Sequence, residues 1–311
     1  MISMTCTIRR HPFASASGTR ASLLALALLL FCTSAVSATI TVDCDAGQTI
    51  GKALATVHAR DTLVVSGTCN ENLIVQEEAS SVTLDGQGRA TINGGADKTH
   101  TVIVRGRRIV IKGFTVTGGR DGIHLAGGSA DIFDTVIRNV GLNGIFVDHN
   151  GLARLLDSRI EGNRGAGIVV NENSVTRIGF LIGREKGHPN IITGNALDGI
   201  VVQRSSTAWV AGVTITGNKG NGVTVDRNSQ ATFGDNTIDG NRGDAFHVSR
   251  MSGLTLGSMD IRDDAPNTTR QKNGGFGVRC SVGGYVDGPI GTLAGAKGAK
   301  QFDKACIDGT N

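Results

Sequence analysis

The sequence predicts an all-β parallel solenoid, a chain wound so that each strand-rich coil lies on the one before. A Gly followed by alternating apolar residues recurs at Gly122, Gly144, Gly167, Gly199 and Gly222, with a degenerate copy at Ala245, in steps of 22, 23, 32, 23 and 23 residues. A second motif, Ile-x-Gly-Asn, keeps phase with it at residues 160–163, 192–195, 215–218 and 238–241 and shares the one long step. Each copy alternates apolar and variable residues and is bounded by Gly, Asn or Asp, which marks a short strand ending in a turn. No copy carries a helical period, so a unit can satisfy its backbone only by pairing with the units above and below it. The leucine-rich repeat has a comparable period, but its Leu-x-x-Leu-x-Leu framework is missing.

The paired Gly-Ile/Val-x-Val and Ile-x-Gly-Asn signatures resemble the right-handed parallel β-helix repeat of the pectin-lyase-like superfamily over residues 62–285. The resemblance implies right-handed coils, about ten of them, in a single-stranded rod about 48 Å long at the ordinary interstrand spacing. It says little about activity, since lyases, hydrolases, epimerases and non-catalytic binding proteins share this repeat.

Residues 1–38 read as a secretory signal. Arg9, Arg10 and Arg20 precede the apolar run 21–32, and Val36, Ser37 and Ala38 offer small residues for cleavage near Ala38, which sends the chain to the periplasm or the medium. The apolar run is too short to span a bilayer, which needs about twenty residues. Loss of the leader leaves 28 basic against 27 acidic residues, a balance that implies no nucleic-acid partner. Residues 39–61 are expected to form an N-terminal cap. Within it Ile50, Ala53, Leu54 and Val57 fall at i, i+3, i+4 and i+7, which predicts an amphipathic helix over 46–59 lying on the first coil. After residue 285 the repeat fades into a Gly-rich C-terminal cap, 286–311. The leader removes Cys6 and Cys32; the remaining four cysteines pair by proximity as Cys44 with Cys69 and Cys280 with Cys306, as an exported chain favours.

In a solenoid, surface chemistry is read down columns one period apart. Just beyond the first strand the columns read Asp148, Asn171, Gln203, Asp226, Ser249; then His149, Glu172, Arg204, Arg227, Arg250; then Asn150, Asn173, Ser205, Asn228, Met251. Stacked Asn side chains bond one another and satisfy turn backbone, so the third column and the Asn163, Asn195, Asn218 and Asn241 turns are structural. The second column is a basic stripe. Arg204, Arg227 and Arg250 are placed to bind carboxylates or sulfates of a polysaccharide, with Asp148, Asp226, His149 and Glu172 beside them. Asp148-His149 resembles the Asp-His pair of family-one pectate lyases, where the Asp ligates calcium, although the Trp before it is Phe146 here and no Arg-x-Pro-x-x-Arg segment exists. Proton abstraction beside a uronate carboxylate needs a base and a neutralising cation. His149 and Arg227 are the candidates for those two roles.

A column ahead of the first strand, Asp121, Asn143, Ala166, Asp198, Asn221 and Asp244, carries carboxylates that could chelate Ca²⁺ at Asp121, Asp198 and Asp244, although turn residues of this type are ordinary before Gly. His124 and His247 face outward on the first strand, too far apart to share a ligand. The 32-residue step places an insert at 180–189 carrying Arg184, Glu185, Lys186 and His188. The Asp-Pro-His-Glu motif of mannuronan epimerases and the polygalacturonase motifs are absent, and Asp263-Asp264 alone cannot carry hydrolysis. One Trp, one Tyr and ten Phe supply few platforms for neutral sugars, which directs the reading toward acidic glycans held by Arg. The sequence therefore predicts an exported β-helix protein that binds an acidic polysaccharide and processes it by elimination or epimerisation. The alternative is a non-catalytic carbohydrate-binding, cell-surface or adhesin-like solenoid.

Overall fold

The computed structural model describes residues 37–95, 98–179, 189–257 and 265–311. The predicted secretory segment and nearly all of the 180–189 insert lie outside the described residues, as does Asp263-Asp264. What is described is a right-handed parallel β-solenoid of about 11 turns.

The coils present three faces. The first is a ten-stranded parallel sheet that includes Ile123–Ala126, Ile145–Asp148, Ile168–Val170, Ile200–Gln203, Val223–Asp226, Phe246–Ser249 and Phe276–Ser281. The second contains Leu152–Leu156, Val175–Ile178, Thr207–Ala211 and Gln230–Gly234, and the third Arg159–Glu161, Asn190–Thr193, Val213–Thr216 and Thr237–Asp239. Register follows the sequence period without slip: Ile145 pairs with Ile168, Ile168 with Ile200, Ile200 with Val223 and Val223 with Phe246. The 32-residue step leaves this register intact. In sequence its extra residues fall after Ile178 of the second face and before Asn190 of the third.

Alternation fixes the core. Inward side chains stack on their equivalents one coil away, as in Leu125, Val147, Val170, Val202, Val225 and Val248, all fully buried. Such a side chain contributes about 1.5–3 kcal/mol of burial. The Gly of the repeat is required by close approach: a Cβ on Gly222 would lie 2.6 Å from the Ile238 Cγ2 and 2.7 Å from the Ala245 carbonyl oxygen. The Asn of the second motif forms a buried ladder. In Asn163, Asn195, Asn218, Asn241 and Asn273, each side-chain NH2 donates to the Oδ1 of the next at 2.9 Å, and each backbone amide donates to the same oxygen. Asn273 belongs to the ladder although its repeat is unrecognisable in sequence.

Parallel pairing starts at Thr39–Asp43 against Thr62–Ser66 and reaches Ile307–Thr310 against Tyr285–Gly288. The helix near the N-terminus is shorter than the 46–59 that the periodicity predicts. Only Ile50–Leu54 is helical. The Glu71 carboxylate accepts from the Ile50 and Gly51 amides at its start, and the Thr56 hydroxyl donates to the Ala53 carbonyl as the chain turns away at its end. Ala53, Leu54 and Val57 still pack on the core. Both disulfides, Cys44–Cys69 and Cys280–Cys306, are present, with Cα atoms 5.0 and 6.1 Å apart. Among the described residues no helix is long and apolar enough to cross a membrane.

Candidate functional site

The outward row of the first face runs Ile74, Ile103, His124, Phe146, Val169, Val201, Thr224, His247 and Arg279 in register. From His124 to His247 these residues are half-buried, and Val169 is buried outright, although nothing of the sheet lies outside them. Columns of residues at the two ends of the strands flank this row; the row is called the floor here, the columns its entry and exit rims, and the whole a trough. The exit rim is the column His149, Glu172, Arg204, Arg227, Arg250. Each of these residues is left-handed, with φ between 49° and 55°, and each is followed by a second left-handed residue. Non-Gly residues enter this region at a cost of about 1–2 kcal/mol. Asn at the second position, in Asn150, Asn173 and Asn228, tolerates it best. Asn173 donates to Asn150 Oδ1 at 2.7 Å.

The three arginines do not stand as an unneutralised ladder. Each reaches toward the coil below it, Arg204 to Glu172 at 3.5 Å, Arg227 to Gln203 at 3.0 Å and Arg250 to Asp226 at 2.8 Å. Pairing with Glu172 and Asp226 removes the repulsion between stacked guanidinium groups. Their side chains stay 53, 46 and 57 % exposed, open to a further anion. The entry rim carries a second basic column that the sequence reading missed. Arg164, Lys219 and Arg242 follow the ladder asparagines directly and are exposed; Lys219 and Arg242 lie on adjacent coils, and Arg164 lies two coils before Lys219 with Ala196 between them. The signal was the basic residue after Gly-Asn in three of the four copies.

Around His124 and Asp148, two coils in from the N-terminal end of the row, the floor and exit rim meet in a cluster of acids and imidazoles. Asp148 Oδ1 lies 2.9 Å from His124 Nε2 and 3.0 Å from His149 Nδ1, and His149 Nε2 lies 3.5 Å from Glu172. Burial works to raise the Asp148 carboxyl, but the hydrogen bonds and charges of the two histidines outweigh it and hold it below its ordinary value. An ionised Asp148 can only accept, so both imidazoles donate to it. That leaves His149 Nε2 beside the Glu172 carboxylate, on a side chain 69 % exposed. The same Asp148 hydrogen bond and charge raise the His149 pKa above its usual value. His100 stacks on His124 at 4.3 Å between ring centroids, and His124 lies 5.1 Å from Phe146, so three rings line the floor.

Of the candidate calcium residues, Asp121, Asp198 and Asp244 each give one carboxylate oxygen to a backbone amide of the next coil, those of Asn143, Asn221 and Phe276. The column holds coils together. Among the described residues two groups bring three potential ligand atoms within 4.8 Å of one another: Cys44, Cys69 and Glu71, whose sulfurs are taken by the disulfide, and Asp148, His149 and Glu172. Two carboxylates and an imidazole suit a cation of mixed nitrogen and oxygen preference better than Ca²⁺, which takes oxygen ligands. Arg227 stands three coils above His149, about 14 Å at the interstrand spacing, and Arg204 is the nearer guanidinium.

The sequence matches the family described as right handed beta helix region over residues 100–249 and 143–285, together more than half of the chain. No curated protein matches it. Among solved structures it is similar to pectate lyase Pel9A, at 12 % identity and TM-score 0.59, covering 89 % of this chain and 78 % of that one. It is also similar to a point mutant of the periplasmic alginate epimerase AlgG, at 12 % identity and TM-score 0.54, covering 87 % and 82 %. At these identities the likeness is one of fold.

Proposed function

The chain belongs to the right-handed β-helix family, and on that premise we propose that it is an exported protein that binds an acidic polysaccharide along the first-face trough and acts on it by elimination or epimerisation. The observation that carries this reading is the half-buried outward row of the first face, largely apolar with rings toward its ends, flanked by the Arg204, Arg227 and Arg250 column on one side and by Arg164, Lys219 and Arg242 on the other, with an oriented imidazole at His149. A linear polyanion lying along the rod meets a guanidinium or ammonium at several successive coils, and ring faces below. Two disulfides fit an oxidising compartment. The pectate lyase and the alginate epimerase that share the fold bear names of uronate chemistry, which agrees with the charge of the rims.

In this mechanism Asp148 holds the His149 Nδ1–H, and His149 Nε2 takes the proton next to a uronate carboxylate. Arg204, already leaning toward Glu172 on the adjacent coil, neutralises that carboxylate as charge develops on it. Arg227 and Arg250 bind sugars farther along, with Asp226 positioning both. Asp148 and Glu172 would be the carboxylates to hold a divalent cation if one takes part. Incubation with pectate, alginate and glycosaminoglycans, followed by ultraviolet absorbance for unsaturated uronates and proton NMR for inverted ones, tests the reading. Turnover that is lost in His149→Ala is expected. No change in any polymer, with binding intact, would leave a non-catalytic carbohydrate-binding solenoid instead.

A further inference from the structure

The opposite end of the trough repeats the His124 arrangement with a different partner. His247 faces outward on Phe246–Ser249, and its Nε2 lies 2.9 Å from the Oγ of Ser281, the last residue of Phe276–Ser281 on the next coil. His124 reaches Asp148 by the same diagonal step, from an outward position to the residue two beyond its register partner. The chemistry is reversed. A carboxylate forces its imidazole to donate, whereas a hydroxyl can donate to an imidazole whose Nε2 is bare.

We propose that Ser281 and His247 form a nucleophile and base for acyl transfer, and that the substrate is a carboxylate ester on a hydroxyl of the glycan lying in the trough. The choice of glycan ester follows from the function proposed above; the dyad does not depend on it. In the first half-reaction Ser281 Oγ forms a bond to the ester carbonyl carbon while its proton passes to His247 Nε2. The carbonyl carbon's bond to the sugar oxygen then breaks, and that oxygen takes the proton from His247. In the second, water attacks the acyl-serine by the same path and releases a carboxylic acid.

Two further features favour the dyad. Burial pushes the His247 pKa below its ordinary value, against the opposing charge of Asp244, with Arg279 adding to the fall and Asp198 and Asp226 opposing it, so the ring is a neutral acceptor at neutral pH. The Cys280–Cys306 disulfide anchors the residue before Ser281.

The test treats the secreted chain with an alkyl fluorophosphonate and, separately, with p-nitrophenyl acetate, neither of which requires the glycan. Peptide mass mapping should place the phosphonate on Ser281. Ser281→Ala and His247→Gln should each lower labelling and ester hydrolysis by about 100-fold or more, with unchanged far-ultraviolet dichroism. Labelling should fall as pH drops through the His247 ionisation. No labelling of the folded wild type, or equal labelling of Ser281→Ala, overturns the dyad. Retention on an acidic-polysaccharide matrix separates the two ideas. Intact retention without labelling removes the esterase alone, and labelling without retention removes the glycan reading and leaves the esterase.

Discussion

Replacing Asn218 with Ala tests the ladder that holds the coils in register. The Asn218 side chain is 1 % exposed and makes four hydrogen bonds: its Oδ1 accepts from the Asn195 amide and the Asn195 NH2, and its NH2 donates to Asn241 Oδ1 and the Ile192 carbonyl. Truncation leaves the Asn195 amide with no partner in the protein and takes one partner each from the other three groups. An orphaned buried donor costs about 1–3 kcal/mol and each further lost bond about 1 kcal/mol, so the substitution should cost roughly 4–6 kcal/mol. Asn150→Gly is the control, because Asn150 is exposed and Gly adopts its φ of 62° freely. It should stay within about 0.5 kcal/mol. Urea unfolding followed by far-ultraviolet dichroism reads both. A loss under about 1 kcal/mol in Asn218→Ala, with an unchanged denaturant slope, would refute the claim that buried amides carry the stacking.

Gly222→Ala should destabilise by about 1–3 kcal/mol, because the new methyl meets Ile238, the Ala245 carbonyl and the Asn241 NH2 at 2.6 to 3.0 Å; an unchanged thermal midpoint would show that the coils are looser than described. Asp148→Asn should lower the His149 pKa toward its ordinary 6.5, read as a downfield-to-upfield NMR titration shifted to lower pH, and any catalysis dependent on neutral His149 should begin at lower pH in step. An unmoved titration would mean that Asp148 does not orient the ring. In the wild type the signs are opposite for the two partners. The raised His149 gives stability that is complete below pH 6.5 and lost as pH climbs through its folded pKa, and the lowered Asp148 gives stability present above 3.8 and lost as pH drops through its folded pKa.

Periodicity made much of this architecture legible. Because steps of 22 and 23 residues return Gly-Ile/Val-x-Val to the same position, the columns of the exit rim could be written down from sequence, and His149, Glu172, Arg204, Arg227 and Arg250 do stand one above another. Columns do not show diagonals. His124 meets Asp148, and His247 meets Ser281, across one coil and two strand positions, a relation that no single column contains. Nor does a column show side-chain lean. Arg250 bends down to Asp226, so the repulsion expected between stacked arginines is absorbed by acids of the neighbouring column. The predicted helix shows a different limit. Its i, i+3, i+4, i+7 pattern was real, since Val57 reaches the core, but a turn closed by Thr56 achieves the same burial with fewer helical residues. The Asn273 rung escaped notice because its coil keeps only the ladder side chain of the repeat.

The proposed function requires that an acidic polymer bind along the first face, against the Arg204, Arg227 and Arg250 column. The most direct measurement is retention of the wild type and of Arg227→Glu on an immobilised acidic polysaccharide at low ionic strength. The wild type should be held and released by salt, while Arg227→Glu, which sets a carboxylate beside Asp226 on the same coil, should elute unretained. Equal retention of the two would contradict that requirement.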